Sequence, residues 1–295
     1  MSSRALRRYG RPPYDVVLVH GGPGAAGSLA PVARALGETR GVLEPWQRET
    51  SVAGQVRELS RQIDRWASVP VILVGHSWGA WLALLLAEQH PEQVARLILV
   101  GSGPLRARDA RAIPRRRRMR LSENDWAEYV ALSRLLEERG GGGRSAAMRR
   151  LGELSERADS YDPVAHPRGP GKWDPVALAE VGAEAAEMRR SGALLRAARR
   201  VRAPILVVHG ANDPHPMEGV VDPLRRAGLD LRVVRLARCG HEPWWERHAR
   251  ARFFAVLRRE LSVKRRGSAL PPTPRPVAGK ATARMSGSGA RSRGG

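Results

Sequence analysis

At 295 residues and 42% hydrophobic content, the chain is long enough to bury a sizeable core, and it is expected to form one domain with an inserted cap. A single cysteine, Cys239, excludes an internal disulfide and fits a reducing cytoplasm. No apolar run approaches the roughly 20 residues of a membrane span, and the basic start Met1 to Pro13 lacks the apolar stretch of a signal peptide. The formal charge of +22 invites a nucleic-acid reading, yet nearly all of it is arginine, with lysine only at Lys172, Lys264 and Lys280. That bias, with abundant alanine and glycine, is the imprint of GC-rich coding. No recognition motif for a specific nucleic acid accompanies it.

In chain order, Asp15 to His20 is a β-rich run opening into Gly21-Gly22-Pro23-Gly24, a loop able to offer bare backbone N–H groups. A dinucleotide fingerprint would need G-x-G-x-x-G leading into a helix, and Pro23 interrupts that pattern. Gly41 to Arg48 is expected to form a short strand and a loop that carries Trp46. Val71 to Val74 is a buried strand entering Gly75-His76-Ser77-Trp78-Gly79, and Ala80 to His90 follows as a buried helix stopped before Pro91. Arg96 to Val100 is the next strand.

About a hundred mainly helical residues then intervene. Ser122 to Asp125 offers a capping box ahead of a helix over 126–139, Gly140 to Gly143 a joint, and Asp174-Pro175 another helix start. Pro204 to Gly210 is a strand delivering Ala211-Asn212-Asp213, and Leu231 to Leu236 is a last strand before Cys239-Gly240-His241. Residues 263–295 carry eight basic residues and no acid, and their Pro, Gly and Ser content predicts a disordered tail.

The pattern G-x-S-x-G between a strand and a helix places a serine on a tight, strained turn with its hydroxyl clear of the sheet. Ser77 is the candidate nucleophile. On such a turn the partners follow in the chain order Ser, acid, His. His241, in a loop after Gly240, is the candidate base, and Asp213, at the end of a strand, the acid that orients it. Asp222 and Asp230 are the competing acids; one precedes Pro223 at a helix start and the other precedes its strand. Acyl transfer also needs donors aimed at the developing oxyanion. The N–H of Trp78 and one from the glycine-rich loop fit, with Gly22 preferred because Pro23 has no N–H and Gly24 as the weaker choice. Trp46 and Trp244 are candidate walls of a substrate pocket. His20 and His209 read as buried residues with backbone partners, His76 as shaping the turn, and His215 as a group near Asp213 that could line the site. No cofactor is implied, and no metal-ligand spacing is present.

These residues resemble the α/β-hydrolase family over most of residues 14–262. Within it, His20-Gly21-Gly22-Pro23-Gly24 and the tryptophan after the serine look like the prolyl aminopeptidase branch. The resemblance implies a mostly parallel sheet covered by helices on both faces, with a core of 14–101 and 203–262. It implies a helical cap at 102–202 inserted after the strand that follows the nucleophile helix. Residues 1–13 are then a basic arm, with the N-terminal hairpin of this fold reduced or absent. In that branch cap carboxylates hold a substrate's free amine. Glu180, Glu184 and Glu187 share one helix face, but Arg189 and Arg190 beside them favour a solvated, salt-bridged helix. The implied activity is a serine hydrolase acting on a small-molecule or short peptide ester or amide. The alternatives are a ligand-sensing protein of the same fold with slow turnover, and a protein associating with nucleic acid through its basic tail.

Overall fold

A computed structural model describes residues 6–137, 144–164 and 172–262 of the chain. Its centre is a sheet built from β1 (Leu6–Tyr9), β2 (Tyr14–Val19), β4 (Gly41–Pro45), β5 (Val71–His76), β6 (Val94–Val100), β8 (Ile205–Gly210) and β9 (Leu231–Leu236). The strand order is β1-β4-β2-β5-β6-β8-β9, with every neighbour pair parallel except β1 with β4. All of these strands but β1 coincide with runs expected from the sequence. Their period of two sorts side chains onto two faces. Val17, Val19, Leu73, Leu97 and Val207 join α2 (Val52–Trp66), α3 (Trp78–Gln89) and α10 (Glu218–Arg226) on one side. Val16, Leu18, Val74, Ile98 and Val208 meet α1 (Ala30–Gly37) and α11 (Arg250–Ser262) on the other. With both faces covered, the central strands are near-continuous apolar runs rather than alternating ones.

Helix α3 is buried from Trp78 to Ala87, which is why its sequence is apolar all round instead of striped. On the opposite face, α11 is fastened by Glu260, which is 2% exposed and whose carboxylate pairs with Arg96 of β6 and Arg232 of β9 at 3.3 and 3.0 Å.

The basic N-terminal arm expected at 1–13 is corrected in part, because Leu6–Tyr9 forms an antiparallel edge strand on β4. The segment Leu6-Arg-Arg-Tyr9 has no apolar alternation to announce a strand. It is held instead by backbone pairing, by Arg7 over the Trp46 ring and Arg8 over the Trp66 ring at 4.5 and 4.1 Å, and by the Tyr9 hydroxyl, which donates to Glu44 at 2.9 Å.

Between β6 and β8 the described residues form α4 (Ala107–Ala110), α5 (Ala112–Arg118), α6 (Glu123–Glu137), α7 (Arg144–Asp159), β7 (Lys172–Trp173), α8 (Pro175–Arg190) and α9 (Ala193–Ala198). The expected caps form: Ser122 Oγ accepts the Asp125 N–H at 3.1 Å, and Asp174 accepts those of Val176 and Ala177. Glu184 caps another element, accepting the first N–H of α2, at Val52, over 2.7 Å. The insertion is stitched to the glycine-rich loop, since β7 pairs with β3 (Ala25–Ala26). The joint expected at Gly140 to Gly143 and the tail at 263–295 lie outside the described residues. Among the described residues no helix is long and apolar enough to cross a membrane.

Candidate active site

Ser77 stands between the end of β5 and the start of α3 with φ at +52° and ψ at −114°, a left-handed backbone that a non-glycine residue rarely adopts. The turn closes only because its neighbours are small. A Cβ on Gly75 would lie 2.2 Å from the Gly79 carbonyl oxygen, and one on Gly79 would lie 2.2 Å from that of Val19. The Ser77 N–H donates to Val100 O at 3.0 Å, so the end of β6 fixes the serine's position. From the other side comes the loop after β2. A Cβ on Gly21 would meet His76 Nδ1 at 2.7 Å and Ser77 Cβ at 3.2 Å, so the glycine lets bare backbone reach the serine. Gly22 takes a positive φ of 49° in the same turn, and its carbonyl accepts the Ala25 N–H.

Asp213 follows β8 and His241 follows β9, and the two meet at the same end of the sheet. Asp213 Oδ2 accepts from His241 Nδ1 at 2.7 Å, while Oδ1 accepts the backbone N–H of His215 at 2.9 Å and lies 2.8 Å from its Nδ1. His209 Nε2 lies 3.4 Å from Oδ2 and bonds the His215 carbonyl at 2.8 Å. The acid's side chain is fully buried, and the competing Asp222 and Asp230 lie within α10 and just before β9. The rings of His215 and His241 stack with centroids 4.4 Å apart. His76, next to the serine, lies 4.7 Å from the His241 ring and 3.2 Å from its carbonyl. Among the described residues no hydrogen bond joins the Ser77 hydroxyl to His241, whose Nδ1 is engaged by Asp213.

Burial opposes a charge on Asp213, but the surrounding histidines outweigh it and hold the carboxyl well below its ordinary range. Burial likewise opposes a charge on His241, and the Asp213 carboxylate reverses this, pushing the imidazole up to about 9. His215 and His76 move the other way, because burial and then the neighbouring His241 disfavour a second cation there. Burial raises Glu242 to about 7. It also raises the thiol of Cys239, which keeps that side chain from being a nucleophile at neutral pH. Asp213, His215 and His241 offer atoms within 4.8 Å of one another, as metal ligands do, but the hydrogen bonds among them already use both carboxylate oxygens.

Several expected positions differ. Trp244 is 1% exposed and packs edge-on to His76 and against Phe253, so it is core and not a wall of the site; the aromatic beside the histidine fills the space under it. Trp46 sits at the end of β4 with Arg7 over its ring, and that guanidinium reaches the glycine-rich loop at Gly27. Gly24, with φ at +87°, accepts the Asp174 N–H at 3.1 Å, which makes it a junction between the loop and the start of α8.

Sequence reasoning missed what holds the His241 loop. The His241 N–H donates to the Asp159 carbonyl at 2.8 Å, and the Asp159 side chain takes a bidentate pair from Arg117 at 2.7 and 2.6 Å. Glu246 is 1% exposed and accepts three backbone N–H groups, from Tyr161, Asp162 and Gly240. The bonds from His241 to Asp159 and from Tyr161 and Asp162 to Glu246 cross more than 80 residues of sequence, and no local pattern marks a loop acid as buried.

The sequence profile of the Alpha/beta hydrolase family matches residues 16–256, from within β2 through the serine turn and the Asp213 and His241 loops into α11. The chain belongs to the alpha/beta hydrolase family. Lipase LipV of Mycobacterium tuberculosis is 38% identical over 56 residues, 19% of this chain, and the match spans only 22% of that protein's length. The crystal structure of VinJ superposes with a TM-score of 0.65 at 16% identity, covering 87% of this chain and 93% of that one. A thermophilic esterase from Thermogutta terrifontis gives 0.57 at 20% identity, covering 87% and 92%. At these identities the likeness is one of fold.

Proposed function

We propose that this alpha/beta hydrolase is a serine hydrolase that cleaves a small ester or amide through an acyl-enzyme. The observation that carries the reading is the 2.7 Å bond from His241 to a buried Asp213, at the end of the sheet where Ser77 is held in a left-handed turn. In this reading His241, kept in one tautomer by Asp213, takes the Ser77 proton as the hydroxyl attacks the carbonyl carbon. The Trp78 and Gly22 N–H groups receive the tetrahedral oxyanion, each such donor being worth about 3 kcal/mol. His241 then protonates the leaving group and activates water for deacylation.

An acyl ester fits better than an aminoacyl or prolyl amide. Of the three α8 carboxylates expected to hold a free amine, Glu184 caps α2 and Glu187 pairs with Arg190, which leaves only the exposed Glu180. That the similar proteins include a lipase and an esterase agrees with an ester. The deciding experiment compares initial rates of wild type and Ser77→Ala on short and medium acyl p-nitrophenyl esters beside proline and other aminoacyl arylamides. Turnover of an ester by wild type and a loss of at least about 10³-fold in the variant is the expected result. Faster cleavage of proline arylamide would restore the aminopeptidase branch, and equal inertness of both proteins would favour a ligand sensor.

A further inference from the structure

Away from the serine, the start of the insertion, the end of α8, α9 and α10 line an open concavity of about 460 Å³. Six of its lining residues are Arg106, Arg108, Arg189, Arg190, Arg199 and Arg226, and no carboxylate lines it. Arginine is abundant in this chain, so number alone carries little. What distinguishes the cleft is how poorly its charges are matched. In the insertion, Arg117, Arg150 and Arg157 each have a carboxylate partner, at 2.6, 2.8 and 2.6 Å. In the cleft, Arg106 and Arg108 share Asp109, and Arg190 pairs with Glu187. Arg189, Arg199 and Arg226 have no carboxylate partner among the described residues, and Arg189 rests on the Trp81 ring at 5.5 Å. Six guanidinium groups against the two flanking carboxylates, Asp109 and Glu187, leave a surplus of four positive charges around one small space. Like charges gathered in a concavity repel one another until an anion fills it.

We propose that this cleft binds a phosphorylated small molecule carrying a diphosphate. Planar guanidinium groups grip phosphoryl oxygens in pairs, and a diphosphate monoester brings about three negative charges against the surplus of four, where a single carboxylate brings one. The volume is that of a small-ligand pocket. A nucleic-acid polymer would instead be met by an extended basic stripe. Trp81, which supports Arg189, also packs edge-on against Trp78, so the ligand lies behind the first turns of α3. Nothing in the inference depends on hydrolysis at Ser77.

Titration calorimetry at about 0.15 M ionic strength tests it, with inorganic pyrophosphate and adenosine diphosphate as probes. The proteins are wild type, Arg199→Gln/Arg226→Gln, and the control Arg116→Gln/Arg235→Gln, which removes the same charge from the basic hollow beside Asp213. Saturable binding to wild type with one site, weakened at least about tenfold in the first variant and unchanged in the control, is expected. Pyrophosphate binding as tightly as the nucleotide supports the site and assigns its affinity to the diphosphate. The proposal is overturned by no saturable binding, or by equal weakening in both variants, which would mark a general charge effect. It is overturned as well if a single-stranded oligonucleotide, or vesicles of one-third phosphatidylserine in phosphatidylcholine, bind more tightly than either probe and depend on the same two arginines.

Discussion

Asp213 is a carboxylate with both oxygens committed, one to His241 and the other to His215, inside a shell that excludes water. Its charge makes His241 a stronger base than a free imidazole, and that has a pH signature. In the proposed reaction the base must be neutral to accept the serine proton, so kcat/KM should rise with pH through the pKa of His241 and level off above it. Because Asp213 raises that pKa to about 9, the limb should lie well to the alkaline side of an ordinary histidine. In Asp213→Asn the raising cause is gone and burial still lowers the pKa, so the limb should move to lower pH. The maximal rate should fall by about 10⁴-fold as the tautomer is lost. A pH–rate profile of the two proteins checks both. A limb that does not move would mean that His241 is not the group being titrated.

The turn at Ser77 and the loop at His241 are built in opposite ways. The first is local: Gly75, Ser77 and Gly79 sit within five residues, and the crowding around the two glycines explains why the motif needs them. Gly79→Ala should therefore unfold at a markedly lower temperature than wild type and lose hydrolysis with it, because the Cβ would collide with the rigid end of β2. The second is long-range. Glu246 ties the segment just after α7 and the loop before His241 together through three N–H groups, and Ala in its place would leave those donors unmatched. Glu246→Ala should cost about 3 kcal/mol or more in denaturant unfolding and lower kcat as the imidazole loses its support. Glu246→Gln retains one acceptor and should fall between.

At the scale of the whole molecule the charge dominates. The chain holds 51 basic and 29 acidic side chains, so even complete pairing would leave 22 cations without an acid. Salt screens that self-repulsion more than it weakens the surface pairs, each worth less than about 1 kcal/mol. The melting temperature should rise between about 0.02 and 0.5 M sodium chloride; a fall would mean that the ion pairs matter more than the surplus. Six of the seven central strands and the serine turn were legible because each depends on a few consecutive residues: an apolar run, a glycine, a cap. The strand Leu6–Tyr9 was not, since its partners Glu44, Trp46 and Trp66 are remote in sequence.

By itself, the sequence determined the parallel sheet, the order in which Ser77, Asp213 and His241 appear, and the glycines that let the chain turn. These follow from backbone sterics and from the period of apolar residues, both of which act over short stretches. Only the tertiary structure decided that His215 takes the second oxygen of Asp213, that Trp244 is core, that Asp159 and Glu246 hold the His241 loop, and that arginines from the start of the insertion, α8, the end of α9 and α10 converge on one cleft. Hydrogen bonds and charges act through space over a few ångströms, and which groups come within that reach is set by packing of segments far apart in the chain.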